Sequence, residues 1–201
     1  MKDYVNTYVD TRGLGTEPLP FTKAIVKGIA EGGGLLVPKV LPQLALDEII
    51  ALGTKPYAHQ AAWLYRRFGV DMPAERIETL MELAYGASFD DERITPIVEV
   101  APGTHVLELW HGPTSAFKDM ALQCLPLFFS EALAANPDAS DYLILVATSG
   151  DTGKAALEGF ADRAHTNIVV FYPQGGVSDV QFLQMATQRG NNVGVFGVKG
   201  N

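Results

Sequence analysis

One short stretch, His111-Gly112-Pro113-Thr114-Ser115-Ala116-Phe117-Lys118-Asp119, brings together an amine, two hydroxyls and an imidazole. A lysine amine attacks an aldehyde, as in a Schiff base, when it is neutral. Lys118 falls where an apolar run ends and a helical pattern begins. Thr114 or Ser115 is then placed to cap the helix, with Lys118 in its first turn. The positive end of a helix and the apolar Phe117 both favour the neutral amine. The same pattern also fits an ordinary surface lysine on an amphipathic helix. His111 is a candidate for acting on a proton or an anion, or for bonding the backbone at a tight His-Gly-Pro turn.

A second stretch, Thr148-Ser149-Gly150-Asp151-Thr152-Gly153, lies between an apolar strand pattern and the next helix. Small and hydroxylated residues at such a turn leave backbone N–H groups for an anion. The alternative is a plain turn with a helix cap. Asp151 is either an acceptor for a ligand hydroxyl or a favourable charge near a helix start. Lys154 follows Gly153, but a nucleoside-triphosphate loop needs glycine where Thr148 stands and Ser or Thr where Ala155 stands. Ala155 has no hydroxyl to hold magnesium, so that chemistry is set aside.

The elements that must position these residues form two blocks. Residues 1–100 read as mostly helical, with helices over 22–30, 47–52, 56–68 and 73–85 and a polar loop over 86–93. Pro73 suits the first turn of its helix, and Gly32 to Gly34 and Arg12-Gly13 read most simply as turn chemistry. Residues 101–201 alternate: strand 106–110, helix 116–135 kinked at Pro126, strand 142–147, helix 153–163, strand 168–172, helix 177–189, strand 193–198. Continuously apolar strands alternating with helices predict an open, mainly parallel, three-layer α/β domain with both sheet faces covered. Ligands of such sheets sit at the carboxyl ends of strands, which points to the loops after Trp110, Ala147 and Tyr172. The sequence stops at Asn201 directly after an apolar strand, and the expectation is a truncated α/β layer.

The chain has 201 residues, 47% hydrophobic and 19% charged, enough for a real core. A net charge of −8 argues against nucleic acid and anionic membrane as partners. Cys124 is the single cysteine, so an internal disulfide framework is excluded. No Cys/His spacing suits a metal site. The start has neither signal- nor transit-peptide character, and no apolar run is long enough to span a bilayer. A cytoplasmic protein is expected.

Several segments together resemble the threonine synthase family of fold-type II pyridoxal-phosphate enzymes. They are Tyr8 to Gly13, Gly28 to Pro38, Leu107 to Gln123, Ala147 to Ala156, and Tyr172-Pro173 with Val177-Ser178, Gln181, Gln184-Met185 and Asn192-Val193. The resemblance covers almost the whole chain in order. It implies pyridoxal 5'-phosphate as cofactor, held by Lys118, and conversion of O-phospho-L-homoserine and water to L-threonine and phosphate. It implies that Ser149, Gly150, Asp151, Thr152 and Gly153 grip the cofactor ring edge or the carboxylate of a small anionic amino-acid substrate. His111, Thr114 and Arg12 are its further substrate-binding candidates. Another lyase or deaminase of this fold, or a non-catalytic relative, fits the same motifs. The family's later segments, which hold the cofactor phosphate and the pyridine nitrogen, are not in these 201 residues. The chain alone is expected to bind cofactor weakly or not at all. Oligomeric state is not readable from sequence.

Overall fold

The computed structural model describes residues 5–14, 17–136 and 140–200. Asn201, where the expected truncation falls, lies outside these residues, as do the first four. Two compact units form, Met1–Gly86 and Ala87–Asn201. The change of character expected near residue 100 lies inside the second.

In the first unit β1 (Tyr8–Asp10) pairs antiparallel with β2 (Leu36–Pro38). Four helices accompany them, α1 (Phe21–Lys27), α2 (Leu46–Leu52), α3 (Tyr57–Arg67) and α4 (Ala74–Ala84). α3 and α4 pack on each other, and Ala62, Ile77, Leu80, Met81 and Ala84 are buried. The four positions on α4 are the apolar residues at helical spacing that make it amphipathic. Pro73 takes the position before the first helical residue, one earlier than expected. Helix α1 begins after Pro20, whose side chain caps nothing. Distant Asp71 does that work, accepting the Thr22 N–H at 2.9 Å and its hydroxyl at 2.6 Å.

The glycine-rich turn of this unit wraps a buried carboxylate. Asp10 Oδ1 accepts the Arg12 N–H at 2.8 Å, and Thr11 Oγ1 accepts the Leu35 N–H at 3.0 Å. A Cβ on Gly32 would stand 2.8 Å from Asp10 Oδ2, and one on Gly34 would collide with Asp10 Oδ1. Glycine is required here by close approach rather than by flexibility.

The second unit opens with an antiparallel hairpin, β3 (Ile97–Ala101) and β4 (Thr104–Leu107), turning at Gly103 with φ 72°. The expected strand 106–110 therefore ends at Leu107. It belongs to this hairpin and not to the parallel sheet. The parallel sheet is β5 (Tyr142–Ala147), β6 (Thr166–Pro173) and β7 (Val193–Val198), in that order. Helix α7 (Asp151–Phe160) joins the first two strands and α8 (Asp179–Ala186) the last two. Sequential parallel strands joined by crossovers of one hand carry both helices on the same face, and α7 and α8 touch. On the covered face Ile168 and Val170 are buried against Leu157, Phe160 and Met185. The opposite face is bare among the described residues: Leu143 is 57%, Leu145 63% and Phe196 55% exposed. The parallel sheet expected from the sequence is present, and the second helical layer is not among the described residues.

The expected helix 116–135 is two helices, α5 (Asp119–Leu122) and α6 (Leu125–Ala134). Pro126, in the first turn of α6, has no N–H to offer the Leu122 carbonyl. The predicted kink becomes a break. That carbonyl instead faces Gly159 of α7, where any Cβ would strike it. Phe129 of α6 packs edge-on against Tyr142 and Phe160 at 5.4 and 6.2 Å.

Candidate functional site

The Lys118 segment is a strap fastened by a buried acid. Lys118 stands at the N-cap of α5, outside the helix rather than in its first turn. A four-residue helix supplies little dipole, so the helix-end argument for Lys118 loses force. Neither Thr114 nor Ser115 caps it. The Thr114 N–H and hydroxyl both donate to Asp119, at 2.9 and 2.7 Å. Ser115 is left-handed at φ 56° and donates its N–H to the Gly112 carbonyl at 3.0 Å. Among the described residues the Lys118 ammonium meets no carboxylate. It lies 4.7 Å from the centroid of the Phe117 ring.

His111 is half-sheltered between two carboxylates. Nδ1 lies 2.6 Å from Asp90 and Nε2 2.7 Å from Glu108. These bonds, Glu108 first and Asp90 second, raise its pKa above the usual imidazole range. The two bonds tie the segment after β4 to the loop at Asp90. Asp90 and Glu108 sit on opposite nitrogens, and no cluster among the described residues is arranged to hold a metal. In the same loop Arg93 forks onto Asp91 at 2.8 and 3.0 Å and holds that carboxyl down to about 2.

The loop after β5 is organised around one hydroxyl. Thr148 Oγ1 accepts the Gly150 N–H at 3.0 Å and the Gly153 N–H at 3.1 Å. A Cβ on Gly153 would press into the Thr148 methyl, so a closed turn needs glycine there. Gly150 has φ 152°, and the Gln181 amide lies across it. Gln181 Nε2 also donates to Asp151 Oδ1 at 2.8 Å, tying the start of α8 to this loop. The N–H groups of Ser149, Asp151 and Thr152 have no protein acceptor among the described residues. α7 is a full ten-residue helix, so its open N–H groups and its dipole reinforce one another, an arrangement that suits an anion. Lys154 turns away and binds Glu158 at 3.1 Å and the Gln188 side chain, which agrees with setting aside a triphosphate loop.

Arg12, the remaining candidate, belongs to the first unit, where its guanidinium donates to the Gly32 carbonyl at 3.1 Å. Four contributors escaped sequence reading: Asp90, Glu108, Asp119 and Gln181. Asp119 alone had a local signal, since an acid shortly after Thr/Ser at a turn bonds back to it. The Asp90 and Gln181 contacts bridge 21 and 30 positions, which no local pattern marks, whereas Glu108 stands only 3 positions before His111.

A parallel sheet with helices joining its strands is the architecture of the fold-type II pyridoxal-phosphate enzymes. Residues 7–85 match the family model described as threonine synthase N terminus. Threonine synthase from Pseudomonas aeruginosa is 37% identical over 96% of this chain and 41% of its own length. Human threonine synthase-like 1 is 36% identical over 96% of this chain and 28% of its own length. The crystal structure of pyridoxal-phosphate-bound threonine synthase from Brucella melitensis superposes with a TM-score of 0.90 and 39% identity, covering 98% of this chain and 42% of that one. The chain belongs to the threonine synthase family. It spans less than half the length of these relatives. No helix among the described residues is long and apolar enough to cross a membrane.

Proposed function

We propose that the protein containing this chain is a pyridoxal-phosphate enzyme that converts O-phospho-L-homoserine and water to L-threonine and phosphate. The observation that carries the reading is the pairing, in one unit, of Lys118 without a carboxylate partner and an α7 start with three unengaged N–H groups. The donor set fits the cofactor's needs. An amine that no acid neutralises is available to an aldehyde, and open N–H groups suit an anionic ring edge or a substrate carboxylate.

Pyridoxal phosphate, when bound, supplies the electron sink that makes loss of protons next to the amine feasible. Lys118 holds it and then, once displaced by substrate, carries protons at Nζ. The N–H groups of Ser149, Asp151 and Thr152 orient the carboxylate. Asp151 is held by Gln181 through one carboxylate oxygen. Gly150 and Gly153 keep the backbone close enough for that grip.

Phosphate release from O-phospho-L-homoserine by the full-length protein tests this. Loss of that release in Lys118→Ala supports the reading, and normal activity in Lys118→Ala overturns it. A second reading has its own support, because threonine synthase-like 1 is as similar to this chain as threonine synthase is. Ammonia release from threonine or serine, without phosphate release, identifies a different lyase or deaminase of the same fold.

A further inference from the structure

We propose that Asp119 is a positioning residue that aims Lys118, an inference that rests on Lys118 being the cofactor lysine. Asp119 is the first residue of α5 and is fully buried, at 0% exposure. An acid there would ordinarily serve its own helix. Instead both oxygens reach back to one residue of the strap, taking the Thr114 N–H at 2.9 Å and the Thr114 hydroxyl at 2.7 Å. Thr114 is itself buried, at 5% exposure, so the pair is shielded from water that would loosen it. Gly112 makes room for the carboxylate. A Cβ there would lie 2.5 Å from Asp119 Oδ2 and 2.6 Å from its Cβ.

The result is a closed loop of backbone. The Ser115 N–H bonds to the Gly112 carbonyl at 3.0 Å, and the Asp119 N–H bonds to Ala116 at 2.9 Å. Ser115 is held left-handed at φ 56°, a conformation a serine adopts only where its surroundings impose it. Lys118 is the last residue before the clamp. Among the described residues its ammonium has no carboxylate to steer it, and it lies over the Phe117 ring. The direction of its side chain is therefore set by the backbone, and that backbone is set by Asp119. Stability alone is a weak reason for this arrangement. A buried carboxylate is costly to desolvate, and an apolar residue fills such a space at least as well. Fixed geometry is what two charge-assisted bonds to one neighbour provide.

The test uses the full-length protein, stripped of cofactor and mixed with pyridoxal phosphate. Loading joins the Lys118 nitrogen to the aldehyde carbon with loss of one water, and its rate is read from the absorption band of the lysine-bound cofactor. D119N keeps shape but removes the charge; its amide oxygen can still take the Thr114 N–H, while its amide N–H must donate to the Thr114 hydroxyl, reversing that bond. Misplacement on the scale of an ångström slows a positioned reaction by up to about a hundredfold. D119N is expected to load about ten- to a hundredfold more slowly and to shift the pH dependence of the band, with a native far-ultraviolet dichroism spectrum. Thr114→Val, which loses one bond, moves the same way by less. Thr114→Ser, which keeps both, loads as the parent does. If D119N does not fold, Thr114→Val against Thr114→Ser decides. Variants that melt lower but load at the parental rate and pH overturn the proposal. Borohydride reduction and peptide mapping separate the two levels. A parent protein with no label on Lys118 overturns the lysine assignment and this inference with it. Label on Lys118 with no effect of D119N or Thr114→Val overturns the positioning role alone.

Discussion

In the first unit most of the polar groups around the glycine-rich turn bond to nearby protein groups, although Asp10 Oδ2 is buried with no hydrogen-bond partner among the described residues. Asp10 takes the Arg12 N–H, Thr11 the Leu35 N–H, Arg12 the Gly32 carbonyl, and Asp71 both donors of Thr22. In the second unit the corresponding turn leaves groups open. Thr148 closes the loop with a single oxygen, and the N–H groups of Ser149, Asp151 and Thr152 remain available, as does the Lys118 ammonium. Both regions are rich in glycine, Thr and Asp. The two turns differ in the state of their donors, which composition does not report.

Four experiments press on that contrast. The largest effect is expected from Lys118→Ala, with turnover of the full-length protein falling by about 10²–10⁴-fold, the range for losing a positioned proton carrier. Steady-state phosphate release measures it, and near-normal turnover would place the chemistry elsewhere. Next is Thr148→Val, which strips the acceptor from two N–H groups in the second unit. It should cost about 1–3 kcal/mol in a urea titration and weaken cofactor binding as well. Asp71→Ala, the matching change in the first unit, should cost about 1 kcal/mol as a lost helix cap, with cofactor affinity unchanged. If Asp71→Ala weakened that affinity as much as Thr148→Val does, the contrast between the units would be gone. The smallest effect concerns His111. Its raised pKa means that its ties to Glu108 and Asp90 stabilise the fold fully below the ordinary value of 6.5. They are lost as pH rises through the higher folded value. Nitrogen NMR of the ring should show it doubly protonated above 6.5, and a His111→Asn variant should flatten the pH dependence of melting in that window.

The sequence was a good guide where periodicity carries the signal. The helices of the first unit and the strands and helices after Tyr142 are read from apolar spacing alone, because burial on one or both faces selects those residues. Lys118 and the 148–153 loop were likewise visible as types in order. The sequence guided less well where the decisive partner is distant. Strand β1 has only three residues and β3 is almost wholly exposed, so alternation is weak in both, and β4 paired with β3 rather than joining the parallel sheet. The break before Pro126 depends on what faces the released Leu122 carbonyl, a residue on another helix. His111 pairs with Asp90, 21 positions before it, a partner that no local pattern marks.

The bare side of the parallel sheet has a practical corollary. Leu143, Leu145, Phe171 and Phe196 form a flat apolar surface, with the Phe171 and Phe196 rings stacked 5.9 Å apart. Such a surface adsorbs naphthalene-sulfonate dyes, clings to column resins and chaperones, and lowers refolding yield as concentration rises. Handled alone, these 201 residues should fluoresce brightly with such a dye, and Leu145→Lys should quench that signal and raise the yield while leaving the buried face untouched.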